Sequence, residues 1–148
     1  MLILIRLGAQ RFAVSADRVE RMLRMPALTS APELPAAVAG IVNLRGRATP
    51  VVDPRPRLGL ATVAPHPSHA LLVSRGEAPF LLWVDGVDGT LEAGAADLEP
   101  VAVEGNRIPL TLALVRRPDG ILPLLSLDAL DPGRLIGTAS ASRPEPAR

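Results

Sequence analysis

Three groups of side chains in this sequence are of types that do chemistry. Arginines at 45, 47, 55 and 57 gather around Asp53, histidines stand at 66 and 69, and aspartates at 85 and 88. The histidines are three apart, but the first sits among prolines and the chain has no cysteine, so the third and fourth ligands of a metal site are missing. They read as partly exposed loop histidines. Asp85 and Asp88 bracket Gly86-Val87, a pattern of a turn between strands in which short acidic side chains bond their own backbone. That reading is preferred to a pair of catalytic carboxylates flanking a sugar. No Gly-x-Ser-x-Gly, phosphate-cradling glycine loop or dinucleotide fingerprint occurs. The expectation is a chain that is not an enzyme and takes neither metal nor cofactor.

The arginines call for a different kind of chemistry. Four positive charges within thirteen residues suit phosphate contacts. Asp53 in their midst, a formal net charge of +1 and only three aromatic residues (Phe12, Phe80 and Trp83) speak against nucleic acid. A solvated face in which Asp53 pairs an arginine accounts for Arg55 and Arg57. Arg45 is another matter. Ile41 and Val42 form an apolar strand running into Asn43-Leu44-Arg45-Gly46, and Thr49 to Val52 form the next. A glycine at 46 suits a tight turn because it adopts positive φ without steric cost. Arg45 then stands at a hairpin tip, where its planar fork can pair bidentately with a carboxylate of another protein. The competing possibility is an intramolecular bond from Arg45 to Asp53 or Asp85.

The elements that must hold this hairpin are mostly strands. Leu2 to Leu7 and Gln10 to Val14 flank Gly8-Ala9 as a first hairpin. Ser15 is expected to cap a short helix through Met22, with Val19, Met22 and Leu23 sharing a face. Proline at 26, 32 and 35 keeps the following segment extended. Pro54, Pro56, Pro65 and Pro67 interrupt regular structure between 54 and 68. Strands return at His69 to Ser74, Pro79 to Val84, Val87 to Glu92, Ile108 to Val115 and Ile121 to Ser126, the last two joined at Pro118-Asp119-Gly120. Leu127 to Leu130 closes with a helical turn. The segment from Thr138 to 148, rich in Ala, Ser, Arg and Pro, is expected to be disordered. About nine short strands with one or two brief helices predict an all-β barrel or sandwich.

Composition agrees with one domain, or two subdomains sharing a core. A chain of 148 residues should bury roughly 68–70% of its unfolded surface. With hydrophobic residues at 48% and aromatics at 2%, that core must be built from Leu, Val, Ile and Ala. All sixteen basic residues are arginine. The apolar start Met1 to Ile5 is cut by Arg6 and lacks a basic leader, and no apolar run reaches the roughly 18 residues of a membrane-spanning helix. A cytoplasmic location is expected.

The chain resembles the CheW family, the adaptors of bacterial chemosensory arrays, over about residues 2–130. The most specific motif is Gly40-Ile41-Val42-Asn43-Leu44-Arg45-Gly46, followed by Pro50, Val51, Val52, Asp53, Arg55, Leu58 and Gly59. Leu7-Gly8, Phe12, Val84-Asp85-Gly86-Val87 and Leu124-Leu125-Ser126-Leu127 support it. The resemblance implies two SH3-like five-stranded β-barrels on a shared hydrophobic core, here within residues 1–137 and joined near 54–68. It implies no catalysis, and a bridge between the cytoplasmic tip of methyl-accepting chemoreceptors and the regulatory domain of the histidine kinase CheA. It also implies a partner-binding set of Arg45, Asn43, Leu44, Val19, Met22, Ile41, Val42, Asp53 and Arg55. In it, Arg45 makes partner contacts and the apolar residues near Val19, Met22, Ile41 and Val42 line a groove for a helical receptor tip.

Two departures bear on partner choice. Many relatives read Asp-Leu-Arg after the Pro-Val-Val strand, where this chain has Pro54. Many carry Val-x-Glu-Ile where this chain has Val19-Glu20-Arg21-Met22, which reverses a charge at an expected contact surface. The alternative reading is therefore a divergent member that binds receptor or scaffold without engaging the kinase and modulates array assembly.

Overall fold

A computed structural model of the chain describes residues 1–30, 33, 38–61, 69–76, 78–101 and 110–133. The first hairpin pairs β1 (Leu2–Leu7) with β2 (Gln10–Ser15) antiparallel. A 3-10 turn at Ala16–Arg18 then leads into β3 (Val19–Arg24). The hairpin of β4 (Val38–Leu44) and β5 (Arg47–Val52) follows, and a second 3-10 turn at Pro56–Leu58. Next come β6 (His69–Val73), β7 (Phe80–Val84), β8 (Gly86–Leu91) and β9 (Leu98–Pro100). The described part closes with β10 (Thr111–Arg117), β11 (Gly120–Leu125) and one short helix, α1 (Leu127–Leu130).

The strands make two sheets. One has six strands in the order β8-β1-β2-β11-β10-β9, and the other five in the order β3-β6-β7-β5-β4. In the five-stranded sheet the chain beyond β3 returns to the far edge, where Thr29 and Ile41 exchange two backbone hydrogen bonds of 2.8 Å each. That bridge wraps the sheet toward a closed barrel, as expected for an SH3-like unit.

Alternation along the strands sorts side chains into three cores, because successive residues face opposite sides of a sheet. Val51, Ala70, Leu72, Leu81 and Trp83 fill the five-stranded unit. Leu2, Ala13, Ala113, Val115 and Leu124 fill the six-stranded one. Their neighbours on the opposite faces, among them Ile5, Phe12, Val14, Val52, Leu71, Val73, Phe80, Leu82 and Leu125, form a third core shared by both sheets. A strand between two cores is buried on both faces, so it needs apolar residues without alternation. Phe80-Leu81-Leu82-Trp83-Val84, buried throughout, is such a strand. The all-β expectation, with a shared core, describes this architecture.

Three expectations need correction. The helix from Ser15 to Met22 is a 3-10 turn followed by β3, and Ser15 makes no side-chain cap bond to that turn. The register shows why the spacing misled: Val19 pairs with Val73 and Met22 with Leu71, with a bulge between Val19 and Arg21. The bulge adds one residue, so positions three apart share a face of the strand as they would on a helix. Second, β9 was not foreseen; its three residues are too few to show a period. Third, the Pro-rich stretch from 54 joins β5 to β6, which belong to one sheet. The prolines turn the chain locally, with Leu58 N–H donating to the carbonyl of Pro54 and Leu60 N–H to that of Arg55. The chain changes sheet instead at Ala16–Arg18 and at Asp85. His66, the segment 62–68 and the tail from Thr138 lie outside the described residues.

Candidate partner-binding site

The β4–β5 hairpin closes with Leu44 paired to Arg47, leaving Arg45 and Gly46 as the two turn residues. Both have positive φ, 52° and 81°. That combination marks a type I′ turn, whose twist matches that of the strands it joins. Asn43 reinforces it by accepting the N–H of Gly46 on its side-chain oxygen at 2.8 Å. Arg45 thus occupies a left-handed conformation that costs a non-glycine residue on the order of 1 kcal/mol. It is exposed, and among the described residues no carboxylate pairs with it. The internal bond from Arg45 to Asp53 or Asp85 is absent.

Beside the turn lies a shallow open depression of about 380 Å³ lined by Thr29, Ile41, Val42, Asn43, Gly46 and Ala48. Val42 is nevertheless buried, with its side chain in the core of the five-stranded unit, and Leu44 packs partly against the same core. Of the expected hairpin residues, Asn43 and Arg45 are exposed, whereas Ile41 and Leu44 are half-buried. Val42 anchors the hairpin from inside.

Asp53 and Arg55 are not surface residues, which corrects their placement in the partner-binding set. Asp53 is 3% and Arg55 2% exposed. The Arg55 guanidinium reaches Asp53 Oδ1 at 2.8 Å through Nη1 and Asp85 Oδ1 at 2.7 Å through Nη2. Its carbon lies 5.0 Å from the centre of the Trp83 ring, within cation–π range. Burial alone would pull its pKa down, but the bonds to Asp85 and Asp53 outweigh burial and raise it above the ordinary arginine value. Asp53 Oδ1 also accepts the Arg55 backbone N–H at 3.0 Å. A buried charge demands such partners.

Asp85 does more than pair with Arg55. Its Oδ2 accepts the N–H of Gly8 in the β1–β2 turn at 2.5 Å, so the network crosses from one sheet to the other. Asp88 takes Arg6 at 3.2 Å and Arg11 at 3.6 Å. Both aspartates therefore bind distant chain segments, where the sequence suggested that each would cap its own turn. Arg57 is half-buried and donates to the carbonyl of Ala129 at 2.5 Å, while burial holds its pKa below the ordinary value. With Arg55 and Arg57 turned inward, the four arginines do not form a phosphate-binding face. Pro54 is buried too.

Val19 and Met22 lie on the face of β3 that borders the shared core. Val19 packs against that core, whereas Met22, at the sheet edge, is 51% exposed. His69 is half-buried at the start of β6, opposite Arg24. Among the described residues no group of three or more His, Cys, Asp or Glu side chains is placed to hold a metal ion, and no helix is long and apolar enough to cross a membrane.

The family model of the CheW-like domain matches residues 1–132, nearly the whole of the chain. The chain belongs to the CheW-like domain family. A CheW-like fold is also found by structure: the scaffolding protein TtCheW from Thermoanaerobacter tengcongensis superposes with a TM-score of 0.77 at 22% identity, over 87% of this chain and 90% of that one. The chemotaxis protein CheW of Rhizobium meliloti is 34% identical over 100 residues, which are 67% of this chain and 64% of that protein. The probable chemotaxis protein CheW of Rhizobium etli is 31% identical over a stretch of the same extent. The match thus spans just under two thirds of the length of these relatives.

Within the CheW-like frame, sequence reasoning missed the Arg55–Asp85–Gly8 network. Val84-Asp85-Gly86-Val87 was visible as a family motif, but nothing local to it says that Asp85 reaches Gly8. It missed as well that a bulge in β3, and not a helical turn, brings Val19 and Met22 to one face, and that Leu23 lies on the other, against the core of the five-stranded unit.

Proposed function

We propose that this CheW-like chain is a non-catalytic cytoplasmic adaptor that couples methyl-accepting chemoreceptors to a CheA-type histidine kinase. The observation that carries the reading is Arg45. An arginine held on a rigid I′ turn, exposed, without an internal carboxylate and beside an open depression, is suited to pair with an acidic group on another protein. The half-buried Ile41 beside it adds apolar area, and the exposed Met22 with Val19 behind it offers a second apolar edge for a helical receptor tip.

Titration with purified receptor-tip and kinase regulatory-domain fragments tests it: the adaptor reading requires binding to both. The alternative, an adaptor that takes the receptor but not the kinase, draws support from Asp53 and Arg55, since both are consumed by internal pairing and leave that segment few charges to offer a partner. Binding to receptor tips alone would favour it.

A further inference from the structure

The chain passes between the sheets twice, and the two crossings are built differently. At Asp85 the network is closed off from water, with Arg55 and Asp53 buried and Gly8 held across the joint. At Ala16–Arg18 it is half open. Arg18 and Ser74, the residue after β6, exchange two hydrogen bonds there. Ser74 N–H donates to the Arg18 carbonyl at 2.8 Å, and Arg18 Nε donates to the Ser74 carbonyl at 2.7 Å. The same guanidinium then reaches out of its own sheet, with Nη1 2.7 Å from Asp128 Oδ1 in α1. The fit is close: a Cβ at Gly76 would collide with both Arg18 Nη2 and Asp131 Oδ2.

On the far side of that bond, α1 follows β11 of the six-stranded sheet, yet its polar groups are gripped from the five-stranded side. Arg18 holds Asp128, and Arg57 holds the carbonyl of Ala129. A helix of a single turn has no stability of its own. It stands on Leu127 and Leu130 in the shared core and on these two arginines. Its entry is strained as well: the carbonyl that accepts Ser126 N–H at 2.7 Å belongs to Leu110, whose φ of 64° is disfavoured for a leucine. The Asp128 side chain is 65% exposed, so its pairing with Arg18 is a weak one that can open without disturbing the core. We infer that Arg18 is a positioning residue that couples α1 to the start of β3. While α1 is seated, Arg18 is pinned to both Ser74 and Asp128, and the next residue, Val19, keeps its pairing with Val73. When α1 lifts, that end of β3 loosens. The consequence for binding rests on the adaptor reading: the state of α1 sets how firmly the strand that carries Met22 is held, without a contact to any partner.

Amide hydrogen exchange on the full chain provides the test, with the perturbation placed at Asp128, away from β3. Four amides report: Ala129 in α1, Ser74 on Arg18, Gly8 at the other crossing and Gly46 in the far hairpin. Asp128→Ala should raise exchange at Ala129 and Ser74 by about fivefold and leave Gly8 and Gly46 unchanged. Asp128→Glu should restore most of the protection. Arg18→Lys should loosen Ser74 as Asp128→Ala does, because an ammonium cannot hold the Ser74 carbonyl and Asp128 in one fixed fork. An unchanged Ser74 in Asp128→Ala would overturn the inference, and so would an equal rise at all four amides, which marks a mere loss of global stability. Receptor-tip titrations run alongside carry the consequence. Affinity should fall by about fivefold in Asp128→Ala and return in Asp128→Glu, and an unchanged affinity with Ser74 loosened would overturn the positioning role. A parent chain that binds no receptor tip while Ser74 still answers Asp128 retains the coupling and removes the adaptor.

Discussion

Arg55 Nη2 lies 2.7 Å from Asp85 Oδ1, and the other oxygen of that carboxylate holds the backbone of Gly8 at the tip of the first hairpin. One buried ion pair thus fastens the five-stranded sheet to a turn of the six-stranded one, alongside the apolar core they share. Removing Arg55 strips Asp53 and Asp85 at once of the guanidinium that pairs with both. Arg55→Met should therefore lower stability by about 3–5 kcal/mol. Chemical denaturation of Arg55→Met, Asp85→Asn and the double variant should show a coupling of about 1–3 kcal/mol. Additive losses would mean that the pair does not act as a unit.

Closure of the five-stranded sheet depends on a close approach at Gly40. A Cβ built there would stand 2.5 Å from the carbonyl oxygen of Thr29 and 2.9 Å from Leu28. Gly40→Ala should part the Thr29–Ile41 bridge and cost about 1–3 kcal/mol. Hydrogen exchange should show the amides of Thr29 and Ile41 losing protection first. Unchanged protection at both would contradict the closure described.

The edge of β3 separates core from surface within a few residues. Val19 packs on the shared core, so Val19→Asp should destabilise the protein by about 2–4 kcal/mol. Met22→Asp, at a half-exposed position, should leave the melting temperature nearly unchanged while weakening capture of a receptor tip. If Met22→Asp unfolds the chain, Met22 belongs to the core and not to a docking edge.

How much of this was legible in the sequence follows from the range of each signal. Continuous apolar runs such as Phe80 to Val84 state plainly that a strand is buried on both faces. The Asn-Leu-Arg-Gly turn announces itself because positive φ and an Asn side-chain bond are local demands. The exposed turn position of Arg45 was legible for the same reason. Arg55 was not, since a charged residue near Asp53 reads alike whether the pair faces water or the core, and its second partner is distant in sequence. The Val19–Met22 spacing was read correctly as one face and wrongly as a helix, because a bulge and a helical turn both bring residues three apart to the same side.

The hairpin turn offers a control that separates backbone from side chain. Arg45→Gly relieves the left-handed strain, so its stability should match or exceed that of the parent by up to about 1 kcal/mol. Asn43→Ala removes the acceptor for Gly46 N–H and should cost about 0.5–1.5 kcal/mol. Thermal melts of the two variants should therefore move in opposite directions.

The central claim is that Arg45 is displayed for a partner and not for the fold. Its most direct test is the affinity of Arg45→Ala for receptor-tip and kinase regulatory-domain fragments, measured by calorimetric titration beside the melting temperature. The account predicts binding weakened by about 1–3 kcal/mol, with stability unmoved and only part of the loss recovered by Arg45→Lys. Undiminished affinity for every partner, together with a lowered melting temperature, would contradict it.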